Sequence, residues 1–362
     1  LEGGWLEPYI RKVALWNFRG IRGGVLEFAP LTILVGANNC GKSTILEALF
    51  LGAGLSRKTP YVPYMAVEVV NNLHRTLHSG SYAFLVHNYT APHAFIVLNV
   101  EDRFIATVFL LKENHIRVEY LVAGEETRLD VALERVVTKG SGGTKLCDLD
   151  LNSNKVSDIN KWDLITSKDI LIFHPKLVNE AYEFLKGYWP EVKNKRVSMK
   201  IVELVSRISN ERYVNLTLEP FYGGQLALYA QRPDGSSIRV GDLGDGVQEL
   251  LIAGLLYEMV KPGVLLWDDF ESHMNPKALV ESSLWLTELV EKGTQVVVST
   301  HSLEALRCLA KTAVEHVGEE YVSITLLSLV NGELKAKKMS LEEVEKLQAA
   351  GVDVRMAEAA LF

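Results

Sequence analysis

The chain has 362 residues, 48% of them hydrophobic and 23% charged, with a formal net charge of −7 and a pI near 5.8. That length supports one large or two ordinary hydrophobic cores, and the acidic balance excludes a globally basic nucleic-acid binder while leaving room for a local basic groove. No apolar run approaches the ~20 residues that cross a bilayer, no signal-peptide core opens the chain, and Cys40, Cys147 and Cys308 form no CxxC pair, so no membrane span, zinc site or disulfide framework is expected and a reducing, cytoplasmic setting fits.

In chain order, Lys12 to Phe18 and Val25 to Phe28 read as strands separated by the turn RGIRGG. They lead into LTILVGANNCGKSTILEALF, residues 31–50, which fits the phosphate-loop pattern G-x-x-x-x-G-K-[ST] without a mismatch. Leu31 to Val35 predicts a buried strand. Gly36 and Gly41 permit a tight turn that aims backbone N–H groups at phosphate oxygens. Ile45, Leu46, Leu49 and Phe50 keep helical spacing, so the positive end of a helix faces the anion. Lys42 is expected to reach the β- and γ-phosphates of ATP and the Ser43 hydroxyl to ligate Mg2+, with Asn38, Asn39, Cys40 and Thr44 completing the nucleotide loop. The helix N-terminus and Lys42 together favour the thiolate of Cys40, which is then expected to be reactive when no nucleotide is present; the alternative is a small residue packed against the sheet and inert.

From about Ser56 to Val240 the pattern changes to segments such as AFIVLNV, FIATVFLL and IRVEYLV, read as an insertion whose centre, 139–163, is a solvated loop. Helices are predicted near Leu177 to Lys186 and Ser198 to Ser209. From Gly241 onward helix, strand, helix, strand and helix alternate in the doubly wound manner. VGDLGDGVQELL, residues 240–251, is a glycine-rich helix start in which Asp245 and Gln248 fit a capping box. An N-terminus of this kind, carrying Gly244, Asp245 and Gly246, is suited to the γ-phosphate of a nucleotide held by a second subunit. The strand VLLW, residues 264–267, ends in Asp268 and Asp269. This is a Walker B pattern in which Asp268 holds magnesium and the second acid orients or deprotonates the attacking water. QVVVST, residues 295–300, delivers His301 at a strand end as a γ-phosphate sensor.

The segments NFRGI at 17–21, GANNCGKST at 36–44, LGDG at 243–246, WDDFESHMNP at 267–276, STHS at 299–302 and VDVR at 352–355 resemble the ATPase domain of the overcoming-lysogenization-defect (OLD) family, which is related to ATP-binding-cassette, RecF and chromosome-maintenance ATPases. The resemblance implies that Gly36, Asn39, Gly41, Lys42, Ser43 and Thr44 bind ATP and magnesium, that Asp268 is the Walker B acid and that His301 is the switch histidine. Asp269 falls where the family's catalytic Glu stands, one methylene shorter, so slow hydrolysis or a role shared with Glu271 is expected. Gly244 replaces the cassette signature serine, and Asn275 stands where family members often carry His. No Gln lies between the phosphate loop and Gln225 to serve as the Q-loop, for which His87 or Asn88 are the nearest candidates. About sixty residues follow His301, read as one helix, two strands and a final helix, with no room for the nuclease domain that full-length family members carry.

Two rival signals carry less. NKWD, residues 160–163, matches the guanine-specifying motif of GTPases but follows a polar run and precedes Walker B, opposite to the GTPase order. The basic clusters KNKR at 193–196 and KAKK at 335–338 read as solvated faces. The expected fold is thus α/β, a P-loop NTPase of ABC-ATPase-head type with a doubly wound sheet and an N-terminal β-rich lobe. Its core comprises residues 5–55 and 241–362, with an inserted α+β region at 56–240. The expected function is that of a Mg2+-dependent ATPase forming a homodimer around sandwiched ATP and acting as a switch for a separately encoded effector such as a nuclease. The alternative is a RecF-like nucleotide-gated DNA-binding protein.

Overall fold

A computed structural model describes residues 7–59, 61, 64–75, 79–140, 142–160, 169–209 and 211–356. In chain order the elements are β1 (Ile10–Phe18), β2 (Ile21–Glu27), β3 (Leu31–Val35), α1 (Lys42–Gly52), α2 (Ala66–His74), β4 (His93–Val100), β5 (Arg103–Leu111), β6 (His115–Ala123), α3 (Glu126–Lys139), β7 (Thr144–Asp150), β8 (Val156–Ser157) and β9 (Ile170–Phe173). They continue with α4 (Val178–Gly187), α5 (Trp189–Asn194), α6 (Val197–Ser209), β10 (Asn215–Pro220), β11 (Leu226–Gln231), β12 (Ser237–Arg239), α7 (Asp245–Val260) and β13 (Val264–Trp267). The chain then forms α8 (Pro276–Glu291), β14 (Gln295–Ser299), α9 (Leu303–Val317), β15 (Val322–Val330), β16 (Glu333–Met339) and α10 (Leu341–Ala349).

One 13-stranded sheet runs β8, β7, β6, β5, β4, β1, β2, β16, β15, β3, β14, β13, β9, and a separate three-stranded sheet is formed by β10, β11 and β12. The segment β9, β13, β14, β3, β15 is all parallel. Every residue of β3, β9, β13 and β14 is buried, as the continuous apolar runs LTILV, ILIF, VLLW and QVVVS require of strands covered on both faces. The phosphate-loop strand β3 is separated from the Walker B strand β13 by β14. β1 and β4 to β8 are antiparallel; burial alternates along β1, whereas the middle of β5 is buried on both faces.

The two halves of the sheet share one core because α1 lies between them. All its residues but Ser43 are buried, which fits a helix that is apolar almost all round. At its end Gly52 is required, since a Cβ there would stand 2.9 Å from Ile96 Cγ2 and Leu98 Cδ1 of β4. Gln295 of β14 completes the join, its side chain accepting from Ile10 N and donating to Ile10 O, both at 2.8 Å. Trp267 is fully buried and meets Phe173, Phe270 and Trp285 edge to face at 5.1, 6.5 and 6.2 Å.

The stretch 56–240 does not stand apart as an insertion. Its strands β4 to β8 extend the main sheet and β9 is a member of the parallel core, because ILIF is a short apolar strand that only a covered sheet can bury. The polar centre 139–163 is likewise not all loop: β7 and β8 pair there, with Leu146, Cys147 and Leu149 facing inward. Only α4 to α6 and the small sheet form a cap, lying between β9 and α7 in sequence. Among the described residues no helix is long and apolar enough to cross a membrane.

Candidate active site

Registration of the parallel strands builds the site. Phe173 of β9 pairs with Trp267 of β13, Val298 of β14 pairs with Trp267, and Ser299 pairs with Leu34 of β3. The residues that follow these positions, His174, Asp268 and the loop from Gly36, therefore emerge side by side at the C-terminal edge, where open α/β sheets place ligands. The loop folds tightly because Gly36 has φ 147° and Gly41 has φ 97°. A Cβ on Gly36 would lie 2.5 Å from Leu327 O and 2.7 Å from Cys40 Sγ.

Lys42 opens α1 and curls back over the loop, donating to Gly36 O at 3.0 Å and Ala37 O at 3.1 Å, with Cys40 Sγ at 3.7 Å. Among the described residues this buried ammonium has neutral acceptors and no carboxylate partner within ion-pair distance, a charge ready for an anionic ligand. Cys40 lines this cleft but is itself buried. Ser43 and Thr44 lie in the first turn and Asn39 at the rim, whereas Asn38 is not part of the lining.

Asp268 is buried and receives a short hydrogen bond from Ser299 Oγ. The same hydroxyl accepts from Asp269 N at 2.8 Å, so one serine fixes both acids of the pair. Asp269 adopts φ 51°, turning its carboxylate away from Asp268 toward His301, whose Nε2 stands 3.3 Å from Asp269 Oδ1. Burial, then the charge of Asp268, push the Asp269 carboxyl above its ordinary range, with His301 opposing them. Glu271 does not project into the cleft: its Oε1 accepts from the backbone N–H groups of His301 at 2.7 Å and Ser302 at 3.1 Å. It braces the loop that carries the histidine. Arg355, paired with Asp353, holds the other side by donating to His301 O at 2.6 Å, which gives the VDVR segment its place.

Sequence reasoning missed Arg19, Glu47, Leu73, His74, His174 and Lys176, which line the cleft, and Ser299, which holds both acids. His174 follows β9, with Nε2 3.8 Å from Asp268 Oδ2, and its Nδ1 accepts from Lys176 N at 3.0 Å, which leaves the proton of the neutral ring on Nε2. Burial lowers the pKa of His174 while Asp268 opposes that shift. The signal existed: ILIFH has the form of VLLWD, an apolar strand delivering a polar residue. Arg19, at the β1–β2 turn, forms a short ion pair with Glu47 of α1, and His74 Nε2 lies 2.9 Å from the same carboxylate. His87 is at a different place from the one expected: its Nδ1 bonds to Arg19 O at 2.8 Å, supporting the turn from outside. Of NKWD only Asn160 falls among the described residues, where its N–H donates to Leu146 O at 2.7 Å; Lys161 to Asp163 lie outside them.

The glycine-rich start of α7 is not in this cleft; it flanks a separate hollow bordered by Gly241 and Gln248. The expected capping box does not form. Gly244, at φ 89°, is the N-cap without a side-chain bond, Asp245 is the first helical residue, and Gln248 Nε2 donates to Gly241 O at 3.2 Å. Space beside Gly244 is open, while Gly246 is pressed against the Walker B loop, its missing Cβ 2.4 Å from His273 O. Asn275 caps α8 by accepting from Ala278 N at 2.8 Å.

As donors for a metal, Ser43 and Asp268 are hard oxygen ligands of the kind magnesium takes. Among the described residues no cluster of three acidic, histidine or cysteine side chains could hold a metal unaided. Two such donors would leave most of a magnesium ion's six positions to other oxygens.

Two family descriptions match the sequence: "AAA ATPase domain" over residues 9–120, and "AAA domain, putative AbiEii toxin, Type IV TA system" over residues 157–307. These two matches support a P-loop ATPase of the AAA/ABC class. No curated protein matches it by sequence. The SMC head domain from Thermotoga maritima shares the fold with a TM-score of 0.50 at 17% identity, covering 91% of this chain and 99% of that one. An Smc head domain from Pyrococcus furiosus with an extended coiled coil, bound to the C-terminal domain of ScpA, gives 0.52 at 14% identity over 95% and 99%. An SmcHead bound to the C-winged helix domain of ScpA gives 0.53 at 16% identity over 94% and 100%. The mixed α/β architecture is therefore that of SMC heads.

Proposed function

We propose that this head binds Mg-ATP in the cleft between β3 and β13, hydrolyses it, and uses the bound nucleotide to join two copies head to tail, switching a separately encoded effector such as a nuclease in the manner of OLD-type ATPases. The observation that carries this reading is the convergence of Lys42, Asp268, Asp269 and His301 at the ends of three adjacent strands, while the uncapped start of α7 lies outside the cleft. Lys42 exchanges its loop carbonyls for phosphate oxygens. Ser43 and Asp268 hold magnesium, which when bound neutralises phosphate charge. Asp269, with its raised affinity for a proton, accepts one from water, and His301 senses the γ-phosphate through the same carboxylate. His174, whose Nε2 lies 3.8 Å from Asp268 Oδ2, would hold a donor on the Asp268 side of the cleft. The open N–H groups at Gly244 to Gly246 are suited to the γ-phosphate of a second copy.

Light scattering with ATP, ADP and no nucleotide tests the switch. ATP should give a dimer and ADP a monomer; Asp269→Asn should hold the dimer with turnover lowered at least about a hundredfold. Lys42→Ala should lose both dimer and turnover. Equal dimerisation in ADP would remove the γ-phosphate from the interface, and wild-type turnover in Lys42→Ala would remove the cleft assignment.

A further inference from the structure

On the face of the antiparallel half that turns away from α1, two rows of apolar side chains cross the sheet. Trp16 of β1 lies between Gly23 of β2 and Phe95 of β4, and Ala14 lies between Val25 and Val97 on the same strands. Both rows continue into β5, where Phe95 pairs with Val108 and Val97 with Ala106. Helix α3 covers the far end: Leu129 and Val136 are buried there with Phe95, Ala106 and Val108. It stops short of β1 and β2, and leaves a groove of about 920 Å3 in which Trp16 is 55% and Val25 50% exposed. A half-covered apolar sheet face beside a single helix has the width for a second helix packed about 8–10 Å from the first.

The charge at the rim says what kind of helix. On α3 the groove edge carries Glu126, Asp130 and Glu134 at successive i, i+4 positions, beside the apolar row Leu129, Leu133 and Val137, and Glu333 stands on the opposite rim. No basic side chain lines the groove. Lys12 reaches Glu126 at 3.0 Å and Arg22 reaches Glu333 at 3.4 Å from outside it, but among the described residues no cation pairs with the carboxylates of Asp130 or Glu134. Like charges at i, i+4 weaken a helix, so the ridge opposes the stability of α3 until cations lie against it.

We propose that this groove docks a basic amphipathic helix of a partner protein, its apolar face on Trp16 and Val25 and its Lys or Arg edge along Asp130 and Glu134. The 14 residues of α3 span about 21 Å, which sets the length of partner helix the groove takes. The docking face lies away from α1 and the nucleotide cleft, so it stands whether or not the proposed ATPase cycle does.

The test uses the full chain and three fluorescein-labelled 16-residue peptides of chosen design: a Leu/Lys amphipathic helix, the same composition scrambled, and a Leu/Glu version. Anisotropy should show binding of the Leu/Lys helix only. Asp130→Lys with Glu134→Lys, both at exposed positions, should weaken that binding roughly tenfold and let the Leu/Glu helix bind instead. Trp16→Asp should abolish it, with circular dichroism confirming that each variant is folded. Equal binding of the scrambled peptide, no binding of the Leu/Lys helix, or indifference to the charge reversal would each overturn the proposal. So would nucleotide-independent self-association that Trp16→Asp removes, which would assign the groove to a second copy of this chain.

Discussion

Glu47 shows how a single side chain in the cleft is held charged. Burial works to raise its pKa, but Arg19 and His74 outweigh burial and leave it below its ordinary value of 4.5. A carboxyl depressed in the folded state contributes stability above its unfolded pKa, and loses it as pH falls through the folded value. Glu47→Gln should therefore be less stable than wild type at neutral pH by about 2–3 kcal/mol, toward the low side for a broken buried pair because Arg19 keeps some access to water. Urea unfolding at neutral pH and at a pH below the folded pKa should show that gap narrowing on acidification; a constant gap would mean that Glu47 acts by packing alone. Ser299 is a second residue whose role the sequence hides. Ser299→Ala removes the donor to Asp268 and the acceptor for Asp269 N, and leaving both buried groups short of a partner should cost about 1–3 kcal/mol by the same measurement.

At the scale of elements, α7 is packed directly against the loop that follows β13. Gly246 lets the first turn of α7 meet the backbone at His273, and His273 Nδ1 bonds to Glu249 Oε1 of the same helix at 2.8 Å. The helix start proposed to face a second subunit is thereby coupled to the strand that carries Asp268 and Asp269. Gly246→Ala places a Cβ against a carbonyl that cannot swing away, and should destabilise the fold by about 1–3 kcal/mol. It should also weaken ATP-dependent association while leaving nucleotide binding by the isolated chain intact, as read by fluorescent-nucleotide titration. β9 carries the corresponding lesson for strands: four residues suffice to place His174 beside Asp268, but only because β13 supplies their partner.

Across the whole molecule, the three cysteines report on three environments. Cys147 is buried under the antiparallel half, which pushes its thiol up to about 12, Cys308 is half-buried on α9, and Cys40 is buried under the phosphate loop beside Lys42. Alkylation followed by peptide mapping should label Cys308 first, Cys40 slowly and less in Mg-ATP, and Cys147 only on unfolding. Rapid labelling of Cys40 would mean that the loop opens far more than its packing on Leu327 and Gly36 indicates. The burial of Cys40 also tempers the expectation of a reactive thiol, since a nearby cation favours the thiolate but closure of the loop limits access to it.

The strands that lead to Gly36, to Asp268 and Asp269, and to His301 were legible in the sequence because each is local: a short apolar run followed by polar or glycine residues. The alternation of AFIVLNV, FIATVFLL and IRVEYLV likewise announced antiparallel strands. What the sequence could not determine was which strands lie side by side, because pairing depends on partners tens to hundreds of residues away. Only the tertiary structure turned residues 56–240 from an apparent insertion into part of one continuous sheet, set His174 rather than His87 beside Asp268, and tied Glu271 to the backbone at His301. Register set His174 beside Asp268, since a one-residue shift in a strand sends every side chain to the opposite face.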